Sequence, residues 1–135
     1  MAYIQWRDDL SVKVREFDEQ HKKLIALINE LHDAMAGGKG REVVGKVLAE
    51  LISYTKNHFS NEERLMSSNG YAGYEEHRKS HEALTRQVVD FENKLKRGDA
   101  TLTISLMSFL KRWLTDHIQG VDKKYSAFFN GKGIR

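Results

Sequence analysis

His77-Arg78-Lys79-Ser80-His81 sets two histidines four residues apart. On a helix that spacing puts both on one face, about one turn apart. Continued in steps of three and four, the face meets Leu84, Val88, Phe91 and Leu95. The two imidazoles thus open a stripe whose remainder reads as hydrophobic core. Buried imidazoles need partners. Two kinds are open at this point: backbone and carboxylate groups of an ordinary core, or a metal ion, for which histidine pairs at helical spacing are common ligands.

Outward from this stretch, three more segments carry the same period. Upstream, Asp18 reads as an N-cap, with Glu19 at the positive end of the helix dipole. The inner face of that helix is His21, Leu24, Ile28, Leu31 and Met35, with Ile25 beside them, and Gly37-Gly38-Lys39-Gly40 stops it. A second helix spans residues 42–66, with Val44, Val47, Leu48, Leu51, Tyr54/Thr55, His58, Glu62 and Leu65/Met66 inward; Ser67-Ser68-Asn69-Gly70 ends it. The third helix begins between Ala72 and Glu75, carries His77 and His81 near its start, and ends at Lys96-Arg97-Gly98. Asp99 or Thr101 caps a fourth, whose face is Leu102, Leu106, Phe109/Leu110, Trp113/Leu114 and His117. Residues 1–17 lack a sustained period and read as an irregular arm anchored by Trp6. A short tail follows residue 122, with a helical turn through Tyr125 and Phe128-Phe129 and a frayed end at Asn130-Gly131-Lys132-Gly133. The absence of proline permits long helices.

Four amphipathic helices joined by short loops predict an all-α, up-down-up-down antiparallel four-helix bundle. It forms a single domain over residues 1–135: arm 1–17, bundle 18–122, tail 123–135. Alternating direction brings the start of helix one, the end of helix two, the start of helix three and the end of helix four to one end. His21, His58, His77, His81 and His117 all fall there, on inward faces, at the level of Glu62 and Asp122. His32 is left over, near the opposite end and toward the surface. Five histidines and two carboxylates buried together would be a costly core without a metal. Imidazole and carboxylate without sulfur suit iron, manganese or zinc. Seven ligands exceed one tetrahedral ion and suit two octahedral ions sharing bridging groups.

Spacing also makes a local prediction. His58 and Glu62, four apart, share a face. Glu63 is one position further round and is the weaker candidate. His117 and Asp122 are five apart, which on a regular helix turns them roughly 140° away from each other. Helix four must therefore end or loosen near Gly120 for Asp122 to turn inward, and glycine suits such a break.

Composition narrows the classes. With 40% hydrophobic and 30% charged residues the chain is ordinary for a soluble globular protein. A net charge of +3, with basic residues interleaved among acids, gives no case for nucleic acid. No apolar run is long enough to span a bilayer, so no membrane insertion is expected. The N-terminus lacks the pattern of a secretion signal, which makes the cytoplasm the default compartment. Without cysteine there is no disulfide, thiolate zinc site or iron–sulfur cluster. Carboxylate-rich diiron bundles use Glu-x-x-His; no histidine here has a glutamate three residues before it. A zinc protease needs His-Glu-x-x-His, and this pair reads His-Arg-Lys-Ser-His.

Four motifs together carry a resemblance: Asp18-Glu19-Gln20-His21-Lys22-Lys23, His58-Phe59-Ser60-Asn61-Glu62-Glu63, His77-x3-His81 and His117-Ile118-Gln119-Gly120-Val121-Asp122. With Trp6, Trp113-Leu114 and Asp122-Lys123-Lys124-Tyr125, the chain resembles the hemerythrins over nearly its whole length, and among them the bacterial branch, the bacteriohemerythrins. The resemblance implies a non-haem diiron centre that binds O2 reversibly, in an oxygen carrier, storage or delivery protein rather than an enzyme. It implies that His77, His81 and His117 hold one iron and His21 and His58 the other. Glu62 and Asp122 would bridge both, together with an oxo or hydroxo group. The open position then lies on the His21/His58 iron. Leu24, Phe59, Trp113, Leu114 and Ile118 lie one position or about a turn from these residues and would form a dry wall for O2. An oxidase or other O2-consuming protein is the implied partner of a carrier, itself a monomer. An O2 or redox sensor, or a scavenger, using the same site is the alternative, with a diiron oxidoreductase behind it. The absence of a signalling output segment favours the carrier.

Overall fold

The computed structural model describes residues 3–37, 41–97 and 102–135. Four long helices carry the bundle: α1 (Arg15–Ala36), α2 (Arg41–Asn69), α3 (Tyr74–Lys96) and α4 (Leu102–Gly120). A 3₁₀ turn, Asp8–Leu10, lies in the arm. A second, Asp122–Tyr125, leads into the short α5 (Ser126–Gly131). Successive helices run antiparallel, as the short connections require.

α1, α2 and α4 bury most of the described stripe that their period defines, and α3 only part of its own. Leu24, Ile28 and Leu31 of α1, Leu48, Leu51 and Met66 of α2, Val88 of α3, and Leu106, Leu110, Leu114 and Ile118 of α4 fill the core. Thr55 is buried among them because its hydroxyl donates to the Leu51 carbonyl at 2.7 Å. The face of α3 is drier on paper than in space. Leu84, Phe91 and Leu95 are only half-buried. Leu84 and Phe109 line an open groove between α3 and α4, and Phe91 packs on Phe109 at 5.3 Å between ring centres. Among the described residues, no helix is long and apolar enough to cross a membrane.

Helix ends depart from the sequence expectations in instructive ways. α1 begins at Arg15, three residues before Asp18, and its N-cap is Val14, without a side-chain cap. Asp18 serves the arm instead: its carboxylate accepts from the Val12 amide at 2.8 Å and the Ser11 hydroxyl at 2.6 Å. That holds a turn in which Lys13 takes φ 61°. α2 runs on to Asn69, beyond Met66. Gly70 then takes φ 74° and the Tyr71 amide donates back to the Met66 carbonyl at 2.9 Å, a Schellman closure that glycine favours. The expected stop at Gly38-Lys39-Gly40 and the cap at Asp99 or Thr101 lie outside the described residues.

The arm and tail also differ from expectation. Trp6 is half-buried, with the Lys22 ammonium over its ring. Leu10, Val12, Val14 and Phe17 are the arm's anchors, because their side chains enter the core completely. The tail is not frayed at Asn130. Its amide donates to the Lys13 and Ile134 carbonyls, both at 2.9 Å, and the Ser126 hydroxyl donates to the Val12 carbonyl at 2.5 Å. Tyr125 and Phe129 are fully buried against Phe17. Tail and arm are therefore clasped together under one end of the bundle.

Candidate metal centre

That end holds the histidines. Antiparallel alternation brings His21 of α1, His58 and Glu62 of α2, His77 and His81 of α3, and His117 of α4 to one depth, each at most 6% exposed. Asp122 joins them at 0% exposed because α4 stops at Gly120 and the chain turns into the 3₁₀ segment. The break is where spacing demanded it, but glycine is not its cause. Gly120 does not take a positive φ, and a Cβ there would meet nothing within 4 Å. The turn is made by Val121, at φ −114° and ψ −54°, and is held by burial of Asp122 and Tyr125.

The side chains form two sets that share both carboxylates. One set is His77, His81, His117, Glu62 and Asp122; the other is His21, His58, Glu62 and Asp122. Within each, one donor atom from every residue lies within 4.8 Å of all the others. Asp122 Oδ1 is 2.8 Å from His77 Nε2 and 3.0 Å from His117 Nε2, while Oδ2 is 3.1 Å from His21 Nε2. Glu62 Oε1 lies 3.3 Å from both His58 Nε2 and His81 Nε2. His32, by contrast, stacks on Tyr3 near the far end, with ring centres 4.4 Å apart.

Whether a metal fits can be judged from unmet bonding capacity. Nε2 of His21, His77, His81 and His117, Oε1 of Glu62 and both oxygens of Asp122 are buried without a hydrogen-bond partner. Buried polar atoms rarely go unpaired. Here they face one another around two shared carboxylates, the arrangement that cations between them would satisfy. The donor set, imidazole and carboxylate, fits.

Electrostatics agree. Burial pushes the His58 imidazole down to about 4, so it stays neutral and able to bind a cation. Burial and the Asp122 charge oppose ionisation of Glu62, yet His58, His81 and His21 hold its carboxyl near 2. Burial likewise opposes ionisation of Asp122, but His117, His21 and His77 hold it well below the usual range. His81 goes the other way. Burial is outweighed by the Glu62 and Glu63 carboxylates on its two nitrogens, which raise it to about 9. A metal would have to displace that proton.

Outer partners orient the rings. Gln20 Oε1 accepts from His58 Nδ1–H at 2.5 Å, and Glu63 Oε2 accepts from His81 Nδ1–H at 2.9 Å. Ser80 Oγ lies 3.5 Å from His117 Nδ1. The Tyr125 hydroxyl donates to Glu62 Oε2. Burial, followed by the Glu62 and Asp122 charges, pushes that phenol well above its ordinary range and keeps it a donor. Sequence reasoning missed Gln20, Ser80 and Tyr125 in these roles and ranked Glu63 only as a weaker alternative to Glu62. Nearness in sequence to His21, Glu62, His81 and Asp122 was the available signal. Which nitrogen each would meet depends on a neighbouring helix or the folded tail.

Leu24, Phe59, Trp113, Leu114 and Ile118 are all buried, as a dry wall requires. Phe59 lies flat on His81, with centroids 3.8 Å apart and planes at 3°. It also reaches Trp113 and His117 at about 6 Å.

The bundle and its cluster define a metal-binding four-helix protein whose donors are mainly histidine, with two carboxylates held in common. Residues 12–129 match the family described as the Hemerythrin HHE cation binding domain. The chain is 38% identical over 125 residues to the bacteriohemerythrin of Pseudomonas aeruginosa, covering 93% of this chain and 80% of that one. It is 36% identical over 126 residues to the bacteriohemerythrin of Methylococcus capsulatus, covering 93% and 95%. A crystal structure of wild-type hemerythrin matches with a TM-score of 0.87 at 35% identity, covering 93% of this chain and 97% of that one. The chain belongs to the hemerythrin family.

Proposed function

We propose that this protein binds O2 reversibly at a diiron centre and acts as an oxygen carrier, store or donor rather than an enzyme. The observation that carries this is the unequal sharing of the cluster. Three histidines lie on one side of Glu62 and Asp122 and two on the other. His77, His81 and His117 would hold one iron and His21 and His58 the second, the side with one donor fewer. A binding site needs an open position and a structural site does not. Bound iron would supply the two electrons that O2 takes up and returns. Glu62 and Asp122, common to both sets, would be shared between the two ions. The Tyr125 hydroxyl, donating to Glu62 Oε2, keeps that carboxylate oriented. Leu24, Phe59, Trp113, Leu114 and Ile118 keep water and stray protons out, which favours release over onward chemistry.

One observation favours a second reading, an O2 or redox sensor or scavenger. The Tyr125 contact with Glu62 continues through Ser126 to the arm at Val12. A change at Glu62 therefore has a physical route to the arm.

Iron analysis combined with oxygenation cycles tests the proposal. The reduced protein should contain two irons per chain. It should gain visible absorption under O2 and lose it when O2 is removed, over repeated cycles. Zinc in place of iron, or a single irreversible oxidation, would overturn the carrier reading.

A further inference from the structure

The outer nitrogens of the cluster histidines are not treated alike. Glu63 is the only carboxylate bonded to one of them among the described residues. His58 meets the neutral amide of Gln20, and His117 has the Ser80 hydroxyl at 3.5 Å. The Nδ1 of His21 is buried with no partner. One residue of helix rotates the chain by roughly 100°. Glu62 therefore points into the bundle while Glu63, next to it on α2, points across to α3. There it fixes the edge of the His81 ring whose face is already covered by Phe59. With an edge and a face both set, the ring has one orientation, and its Nε2 faces Glu62. Glu63 itself keeps 24% of its side chain exposed, at the wall of a cavity of about 480 Å³ also lined by Lys56 and Arg86. From there its carboxylate reaches a ring that is 1% exposed.

We infer that Glu63 is a positioning residue for the metal centre: its carboxylate locks His81 with Nε2 aimed into the cluster and makes that imidazole a stronger electron donor, biasing the ion on the three-histidine side toward its oxidised state. This rests on the metal-centre reading above. The physical reason is general. A carboxylate on the far nitrogen of a ligating imidazole fixes its tautomer and raises its basicity. An asymmetric pair of sites follows, with the negatively supported ring on one side and, on the other, only the neutral Gln20 amide against His58.

Two variants separate orientation from charge. E63Q keeps an acceptor oxygen and nearly the same shape but loses the charge; E63A loses both. The full chain is loaded with iron and its midpoint potential is followed by spectroelectrochemistry. Metal-free chain is titrated with Co²⁺ alone. E63Q is expected to retain two irons per chain and to shift the oxidised-to-reduced equilibrium about tenfold toward the reduced form, ~59 mV upward for a one-electron couple. E63A is expected to bind Co²⁺ about 10–100-fold more weakly than the parent. A parent that binds Co²⁺ and iron, with both variants matching it in affinity and potential, overturns the role of Glu63 and leaves the metal centre standing. A parent that takes up neither metal overturns the metal centre, and this role with it.

Discussion

His58 and His32 are both helical histidines, yet the fold gives them opposite tasks. His58 is 2% exposed, kept neutral by burial, with Nδ1 donated to Gln20 and Nε2 left facing Glu62. His32 is half-buried and stacks on Tyr3. His58→Ala should lose O2 binding and at least one iron per chain, whereas His32→Ala should keep both irons and oxygenate as the parent does; metal analysis beside visible spectroscopy distinguishes them. Equal behaviour of the two would refute the ligand assignment. Tyr125→Phe tests the other end of the same cluster. It removes the donor to Glu62 Oε2 and leaves a buried carboxylate oxygen unpaired. Hydrogen bonds to charged groups are worth about 1.5–3 kcal/mol, so urea denaturation of the metal-free chain should show a loss of that order.

Asp18 and Gly120 show that helix termini, read locally, can mislead. Asp18 has the chemistry of a cap and would cap a helix in isolation. In the folded chain Val12 and Ser11 reach its carboxylate first, so the helix starts earlier and Asp18 ties the arm to it. Asp18→Ala should therefore cost about 2 kcal/mol through the arm, leaving the helix itself intact. Proteolysis of the arm should rise, while helical circular dichroism stays unchanged. Gly120 sits where the fourth helix breaks, but its backbone is not one that demands glycine. Gly120→Ala should keep the metal centre and stabilise the protein by about 0.5–1 kcal/mol, since alanine is the better helix former. Loss of iron on that substitution would show that the break needs glycine after all.

Across the whole molecule, the cluster ties stability to pH in a way that metal should change. In the metal-free chain His58 titrates near 4, below its ordinary 6.5. Between those values the unfolded chain binds the proton and the native one does not, so stability falls as pH drops from 6.5 toward 4. His81 titrates near 9, so its contribution is full below 6.5 and disappears as pH rises through 9. Melting temperature without metal should therefore peak near pH 6.5 and decline on both sides. A metal held by His81 would replace its proton, so the alkaline decline should vanish in the loaded protein, while acid should still release the metal below about pH 6. A metal-free chain whose melting temperature keeps rising to pH 9 would contradict this. The bundle itself was legible before any coordinates, because a 3.6-residue apolar period and short loops leave few alternatives. So was the meeting of His21, His58, Glu62, His77, His81, His117 and Asp122, since alternation of direction alone sets which helix ends share a level. The break before Asp122 followed from a spacing that a regular helix cannot satisfy. What the local sequence did not reveal was every contact made by a residue on its outer side: Gln20 on His58, Glu63 on His81, Tyr125 under Glu62, and the tail clasped to the arm. Periodicity specifies which face of a helix turns inward. Only the packing of one helix or tail against another decides which atom on the remaining faces meets a ligand's second nitrogen, and with it the orientation and charge of the site.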